Sequence, residues 1–300
     1  MSDLLHGRFR KIKKCGSGGT GEVYKAEDTR LKRTVALKRA HGGTEPERKQ
    51  KAARLLREAE MLASLDHPNI VTIHDCIETT TSVTLVLEYV HGTPFRDVYV
   101  RRAVPQHEFL EYFQQLVSAV GAVHEAGLIH RDINPKNILV SAAGAIKLMD
   151  FGLAAAASDP QPRAGGTLGY MAPEALRKGV RPGFGVDIYS LGFLSFQALI
   201  GGPAFQRLYG TKNPVEWARW VLSREKLKTL HELESPVSLG LSTIIERMVE
   251  KDPTQRYSKI SEVLRDLDRL AGRPASPEGP SVRRLLAGLR SGIQGTESTK

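Results

Sequence analysis

Cysteine is nearly absent: Cys15 and Cys76 are the only two in 300 residues. They build no disulfide framework, which suits a compartment where thiols stay reduced. Long hydrophobic runs are missing as well. The opening MSDLLHGRFRKIKK holds no apolar run long enough for a secretory leader, and Asp3 sits where one would begin. The longest apolar stretch, from Ile188 to Phe205, is interrupted by Ser190, Ser195, Gln197 and the Gly201-Gly202-Pro203 break. A membrane span needs about 20 predominantly apolar residues, so a buried core helix is expected there, in a soluble, cytoplasmic protein. No block of five or six like charges occurs either. The formal net charge is +10, but the basic residues are scattered, so nucleic acid is not expected as a partner.

What remains is ordinary globular composition, 41% hydrophobic and 25% charged, in a chain long enough to bury a core without disulfides or metal. Residues 8–40 carry short alternating segments broken by glycines, which predicts three antiparallel strands. Ala52, Leu55, Leu56, Ala59, Leu62 and Leu65 recur at three- and four-residue steps, predicting a helix from Pro46 to Leu65. Strands are expected around Ile70–His74 and Val83–Val90. Phe109, Phe113, Leu116, Val117, Val120 and Val123 then mark a long helix, and Gly127 suits a left-handed stop after it. Short strands are expected at Ile138–Val140 and Ile146–Leu148, then helices near 187–200, 214–224, 241–250 and 258–270. A strand-rich third followed by a helical remainder implies an α+β fold of two packed subdomains, with GRPASPEGP (272–280) a linker by composition.

Four constellations carry chemistry. Cys15-Gly16-Ser17-Gly18-Gly19-Thr20-Gly21-Glu22-Val23 is a G-x-G-x-x-G-x-V, whose glycines let backbone N–H groups approach phosphate oxygens. An ordinary glycine-rich turn reads the same way. A strand follows, whereas a dinucleotide-binding turn needs a helix there. Lys38, in Val35-Ala36-Leu37-Lys38, is either an edge lysine with its head in solvent or a buried one that needs a partner. Glu58 and Glu60 on the following helix both offer one. In His130-Arg131-Asp132-Ile133-Asn134-Pro135-Lys136-Asn137, Asp132 and Asn137 lie five residues apart on a loop between helix and strand. They suit a base and a metal ligand, although Asn and Pro also favour a plain turn. Asp150-Phe151-Gly152 sets a hard oxygen ligand beside a hinge glycine.

The four motifs occur together, in an order and spacing that resembles the eukaryotic-type protein kinases, with wording similar to the bacterial serine/threonine branch. The resemblance runs from about Phe9 to Ala271. Gly166-Thr167, Ala172-Pro173-Glu174, Asp187 to Gly192, and Arg256 match its later landmarks. It implies a two-lobed fold, with a small antiparallel β-sheet N-lobe plus one helix (9–90) and a larger helical C-lobe (91–271). It also implies ATP and Mg²⁺, with transfer of the γ-phosphate to serine or threonine hydroxyls of protein substrates. Gly16, Gly18 and Gly21 would cover the phosphates, with Cys15, Ser17, Gly19, Thr20, Val23, Ala36 and Leu139 completing the nucleotide pocket. Lys38 would hold the α- and β-phosphates, itself held by Glu58, nine residues before His67. Asp132 would accept the substrate proton, and Asn137 and Asp150 would bind the metal. Glu88 and Val90 would offer backbone groups to adenine, beside Leu87 as gatekeeper.

The departures are informative. Asn134 stands in the catalytic loop where the branch normally has lysine, and Lys136 where kinases that prefer basic substrates often carry glutamate. The first leaves open a pseudokinase or nucleotide-binding scaffold; a small-molecule phosphotransferase is opposed by Gly166-Thr167 and Ala172-Pro173-Glu174. Arg163 stands where related kinases carry the phosphorylated loop threonine; Ser158, Thr167 and Tyr170 are the remaining loop hydroxyls. In the tail (272–300), Val282, Leu285, Leu286, Leu289 and Ile293 fall on one helical face, with Arg283, Arg284 and Arg290 elsewhere. A membrane or partner contact by residues 281–293 and a helix docked back on its own domain both fit that pattern.

Overall fold

Period-two alternation sorts the faces of the first sheet before any tertiary contact is considered. The computed structural model describes residues 4–18, 21–40, 43–80, 82–159, 165–210 and 212–272. Gly19, Thr20, Arg163 and the 281–293 segment therefore lie outside the described residues. Strands β1 (Leu4–Leu5), β2 (Phe9–Gly18), β3 (Gly21–Asp28) and β4 (Arg33–Ala40) run antiparallel. On β4, Val35 and Leu37 join a small core with Phe9, Ala26 and Val86. Ala36, Lys38 and Ala40 occupy the opposite face, and Ala40 joins the main core there.

Helix α1 (Glu45–Ala63) packs on that second face; Pro46 lies in its first turn, and the Thr44 N–H donates to Glu47 (2.8 Å). Its buried residues are Leu55, Glu58, Ala59 and Leu62, so helical spacing sets a carboxylate within the apolar stripe. Strands β5 (Ile73–Glu78) and β6 (Val83–Glu88) complete a six-stranded sheet of order β1-β2-β3-β4-β6-β5. β5 starts later than the sequence suggests. Ile70 and Val71 turn aside to the second lobe, where the Val71 N–H donates to the Leu148 carbonyl (3.0 Å).

The second lobe opens with β7 (Gly92–Pro94), α2 (Phe95–Tyr99) and the long α3 (Gln106–Glu125), which stops before Gly127 at φ +73°. Short strands β8 (Leu128–Ile129), β9 (Ile138–Ser141), β10 (Ile146–Leu148) and β11 (Ala155–Ala156) pair as β10-β9-β7 and β11-β8. Helix α4 (Gly185–Ile200) is the central post, buried at every residue from Val186 to Leu199. Around it lie α5 (Gly202–Tyr209), α6 (Pro214–Leu222), α7 (Leu239–Met248) and α8 (Ile260–Leu270). The expected buried helix is thus α4, and the chain turns by 109° into α5, which the Gly-Gly-Pro sequence conceals. Among the described residues no single helix is long and apolar enough to cross a membrane.

Candidate active site

Lys38 is buried, and a buried ammonium needs acceptors. It donates to both oxygens of Glu58 (2.7 and 2.8 Å) and to Asp150 (2.9 Å). Glu60 is exposed, so the partner left open between two glutamates is Glu58. Burial alone would depress the Lys38 pKa, but Glu58 and Asp150 outweigh it and hold it above the usual lysine value. Burial would likewise raise Asp150, and the Lys38 ammonium holds it below the ordinary carboxylate value instead. Asp150 follows β10 with φ +61°, a left-handed backbone that costs energy at a non-glycine residue. Phe151 beside it is buried edge-on to His130 (4.6 Å).

Asp132 sits between β8 and β9 with both oxygens engaged. One accepts from the Thr167 N–H and hydroxyl (2.8 Å each), the other from the Asn137 amide (2.9 Å). The Asn137 amide also donates to the Asp132 carbonyl (2.9 Å), which leaves its side-chain oxygen available as an acceptor. The loop is pinned from below by Asp187, on the first turn of α4 and fully buried. Its two oxygens accept the Arg131 and His130 N–H groups (2.8 Å each), and the His124 ring nitrogen lies 3.0 Å away. Burial would raise the Asp187 carboxyl; His124 and the loop amides hold it below its usual value. Those bonds hold Arg131 at φ +66°.

Asn134 does not reach the open cleft. It is buried, and its amide donates to Thr167 Oγ1 (3.0 Å) and the Asp132 carbonyl (3.2 Å). Its oxygen accepts the Lys136 N–H (2.9 Å). It braces the loop and Thr167 rather than pointing at a transferred group.

Of the residues expected around a nucleotide, Val23, Ala36, Lys38 and Leu87 share one sheet face. Val23 lies opposite Lys38, and Ala36 opposite Leu87. Glu88 turns its carboxylate to Lys147 (2.8 Å) and its N–H to the Thr72 carbonyl (2.8 Å). Val90 and Leu139 are partly buried nearby, and Cys15 is exposed. Gly16, Ser17 and Gly18 pair across the hairpin with Val23, Glu22 and Gly21. Gly21 is obligatory: at φ +145° an added Cβ would stand 2.1 Å from the Arg39 carbonyl oxygen. Among the described residues no three His, Cys, Asp or Glu side chains form a metal cluster. Asp150 and Asn137 supply two hard oxygens, the donor set of an ion that takes its other ligands from phosphate and water.

Farther out, the Arg256 guanidinium binds Glu174 (2.6 and 3.2 Å) and the Gly185 and Glu250 carbonyls (2.8 and 2.9 Å), tying the segment after Thr167 to the helical lobe. Sequence reasoning placed most of these residues but missed three contacts: Lys38 with Asp150, Thr167 with Asp132, and His124 with Asp187. His124 carries no motif signal of its own.

A family model described as a protein kinase domain matches residues 9–267. The chain is 35% identical over 280 residues to the serine/threonine-protein kinase PknB of Mycobacterium leprae, covering 89% of this chain and 43% of that protein. It is 34% identical over 292 residues to PknB of Mycobacterium tuberculosis (93% and 45%), and 33% over 282 residues to the serine/threonine-protein kinase pkn2 of Myxococcus xanthus (87% and 32%). It spans less than half the length of these curated relatives.

Proposed function

The chain belongs to the protein kinase family, in its eukaryotic-like serine/threonine branch, and on that premise we propose that it transfers the γ-phosphoryl group of ATP to serine and threonine hydroxyls of proteins. One observation carries the reading: Lys38 with Glu58 and Asp150, and Asp132 with Asn137 and Thr167, stand assembled and hydrogen-bonded. Lys38, fixed by Glu58, exchanges its contact with Asp150 for phosphate oxygens when ATP enters. Asp150 and Asn137 would then hold Mg²⁺, which when bound offsets the charge of the phosphates. Thr167 and Asn137 orient Asp132 toward the acceptor hydroxyl. Asp132 takes the hydroxyl proton as the substrate oxygen bonds to the γ-phosphorus and the bond to the β-phosphate oxygen breaks, releasing ADP. The residues contribute positioning and fixed charge, with no covalent intermediate.

The scaffold reading is favoured by one residue, Asn134 in place of the usual lysine. Incubation with γ-labelled ATP, Mg²⁺ and a peptide mixture, followed by mass spectrometry, separates the two. The expected products are phosphoserine and phosphothreonine, lost in Lys38→Met. Binding of ATP without any transfer supports the scaffold.

A further inference from the structure

Two cations lie at the loop that carries Asp132, and neither makes an ion pair among the described residues. Lys136 is exposed on the catalytic loop, while its neighbours Asn134, Pro135 and Asn137 are buried. Its N–H is tied to Asn134 Oδ1 (2.9 Å), and the Asn137 N–H to the Asn134 carbonyl (3.0 Å). A tight turn therefore fixes where its stem leaves the loop. Arg96, in the first turn of α2, is exposed too and is joined to the same turn, its N–H donating to the Pro135 carbonyl (3.3 Å).

The direction of Arg96 follows from its surroundings. Arg96 and Tyr99 are three residues apart on α2 and so neighbours on its surface, and the Tyr99 hydroxyl lies 3.4 Å from that of Tyr170, so this side of α2 is turned toward Tyr170. Tyr170 is three residues beyond Thr167, the residue that holds Asp132. Asp97, about 100° further round the helix, lines a different groove with Tyr89, His91 and Arg101 and makes no ion pair with Arg96 among the described residues. The acids of the site are engaged elsewhere: Asp132 by Thr167 and Asn137, Asp150 by Lys38.

We propose that Lys136 and Arg96 form an anion subsite that takes a carboxylate or phosphate borne by the substrate chain within a few residues of the acceptor hydroxyl, so that the enzyme is directed to acidic or previously phosphorylated segments. The inference rests on the kinase reading above. Attraction of an anion and repulsion of an arginine act together at such a site, because like charges forced together discriminate as well as unlike charges brought together.

The test uses the full chain with ATP and Mg²⁺ on a serine peptide of otherwise neutral sequence. Each position within four residues of the acceptor carries alanine, aspartate, phosphoserine or arginine in turn. The expected result is one position at which aspartate or phosphoserine raises kcat/KM about tenfold over alanine, chiefly through KM, as two exposed charge pairs allow. Arginine at that position lowers it, and added salt shrinks the preference. Selection of phosphoserine alone assigns the subsite to a phosphate; selection of both assigns it to either anion. The ratio flattens in K136Q with R96Q and inverts in K136E with R96E. Equal use of acidic and basic peptides by the native chain, or a preference surviving the double glutamine variant, overturns the proposal. Failure to phosphorylate even the neutral peptide overturns the kinase reading itself, and the subsite with it.

Discussion

His67 is neutral by its hydrogen bonds. Its Nδ1 accepts the Asn69 N–H (3.1 Å), so Nε2 carries the proton toward Ser118 Oγ (2.9 Å), and a second proton would face the Asn69 donor. Burial first, then the Lys147 charge, pushes its pKa down to about 4. A base depressed in the folded state stabilises above its unfolded pKa, because below that value the unfolded chain binds the extra proton. The His67 contribution is therefore complete near neutrality and is lost as pH falls from about 6.5 toward 4. Urea unfolding at pH 5 is expected to show about 1–2 kcal/mol less stability than at pH 7 from this residue. His67→Asn should flatten that part of the profile while lowering stability at pH 7. At the same scale, Asn134→Ala removes the donor to Thr167 and the acceptor for Lys136. A roughly tenfold loss of kcat with little change in the KM for ATP is expected, since a misplaced base costs rate rather than nucleotide affinity. An equal rise in both KM values would contradict the bracing role.

Elements packed this closely leave little room. A Cβ on Gly192 of α4 would stand 2.5 Å from the Met248 Cβ of α7, so Gly192→Ala should cost about 1–3 kcal/mol in urea unfolding. Arg256→Ala strands the buried Glu174 carboxylate and should cost about 3–5 kcal/mol, with Glu174→Gln restoring part of it in the double variant. The Thr167 hydroxyl is engaged by Asp132 and Asn134, and that of Tyr170 by Gln197 (2.6 Å), whereas Ser158 is exposed and its hydroxyl makes no hydrogen bond among the described residues. Activity is expected to survive phosphatase treatment and Ser158→Ala. Loss in Ser158→Ala that Ser158→Glu rescues would show a phosphorylation switch instead.

α1 and α3 were legible in the sequence because their apolar positions repeat over several turns, and α4 as one long apolar run; α6, α7 and α8 also fall where helices are expected. β7, β8 and β11 are two or three residues long and carry no period to detect. α5 was hidden because Pro203 reads as a breaker, although in a first helical turn its missing N–H has no bond to lose. In the site, Lys38 with Glu58 and Asp132 with Asn137 were legible as motif partners. The Lys38–Asp150, Asp132–Thr167 and His124–Asp187 contacts join positions 112, 35 and 63 residues apart, which no local pattern encodes.

For the molecule as a whole, the two lobes serve one geometry. The sheet and α1 carry the lysine that meets Asp150, and α4 fixes, through Asp187, the loop that carries Asp132. Both lobes thus converge on Asp132, the proposed base of a phosphoryl transfer to serine and threonine, and that role decides the proposed function. It is tested most directly by comparing γ-phosphate transfer by the native chain and by Asp132→Asn, on one peptide carrying serine, threonine and tyrosine. The native chain is expected to label serine and threonine only, and Asp132→Asn to lose about 10²–10⁴-fold in kcat with its unfolding midpoint retained. Near-native transfer by Asp132→Asn, or label on tyrosine, would contradict the account.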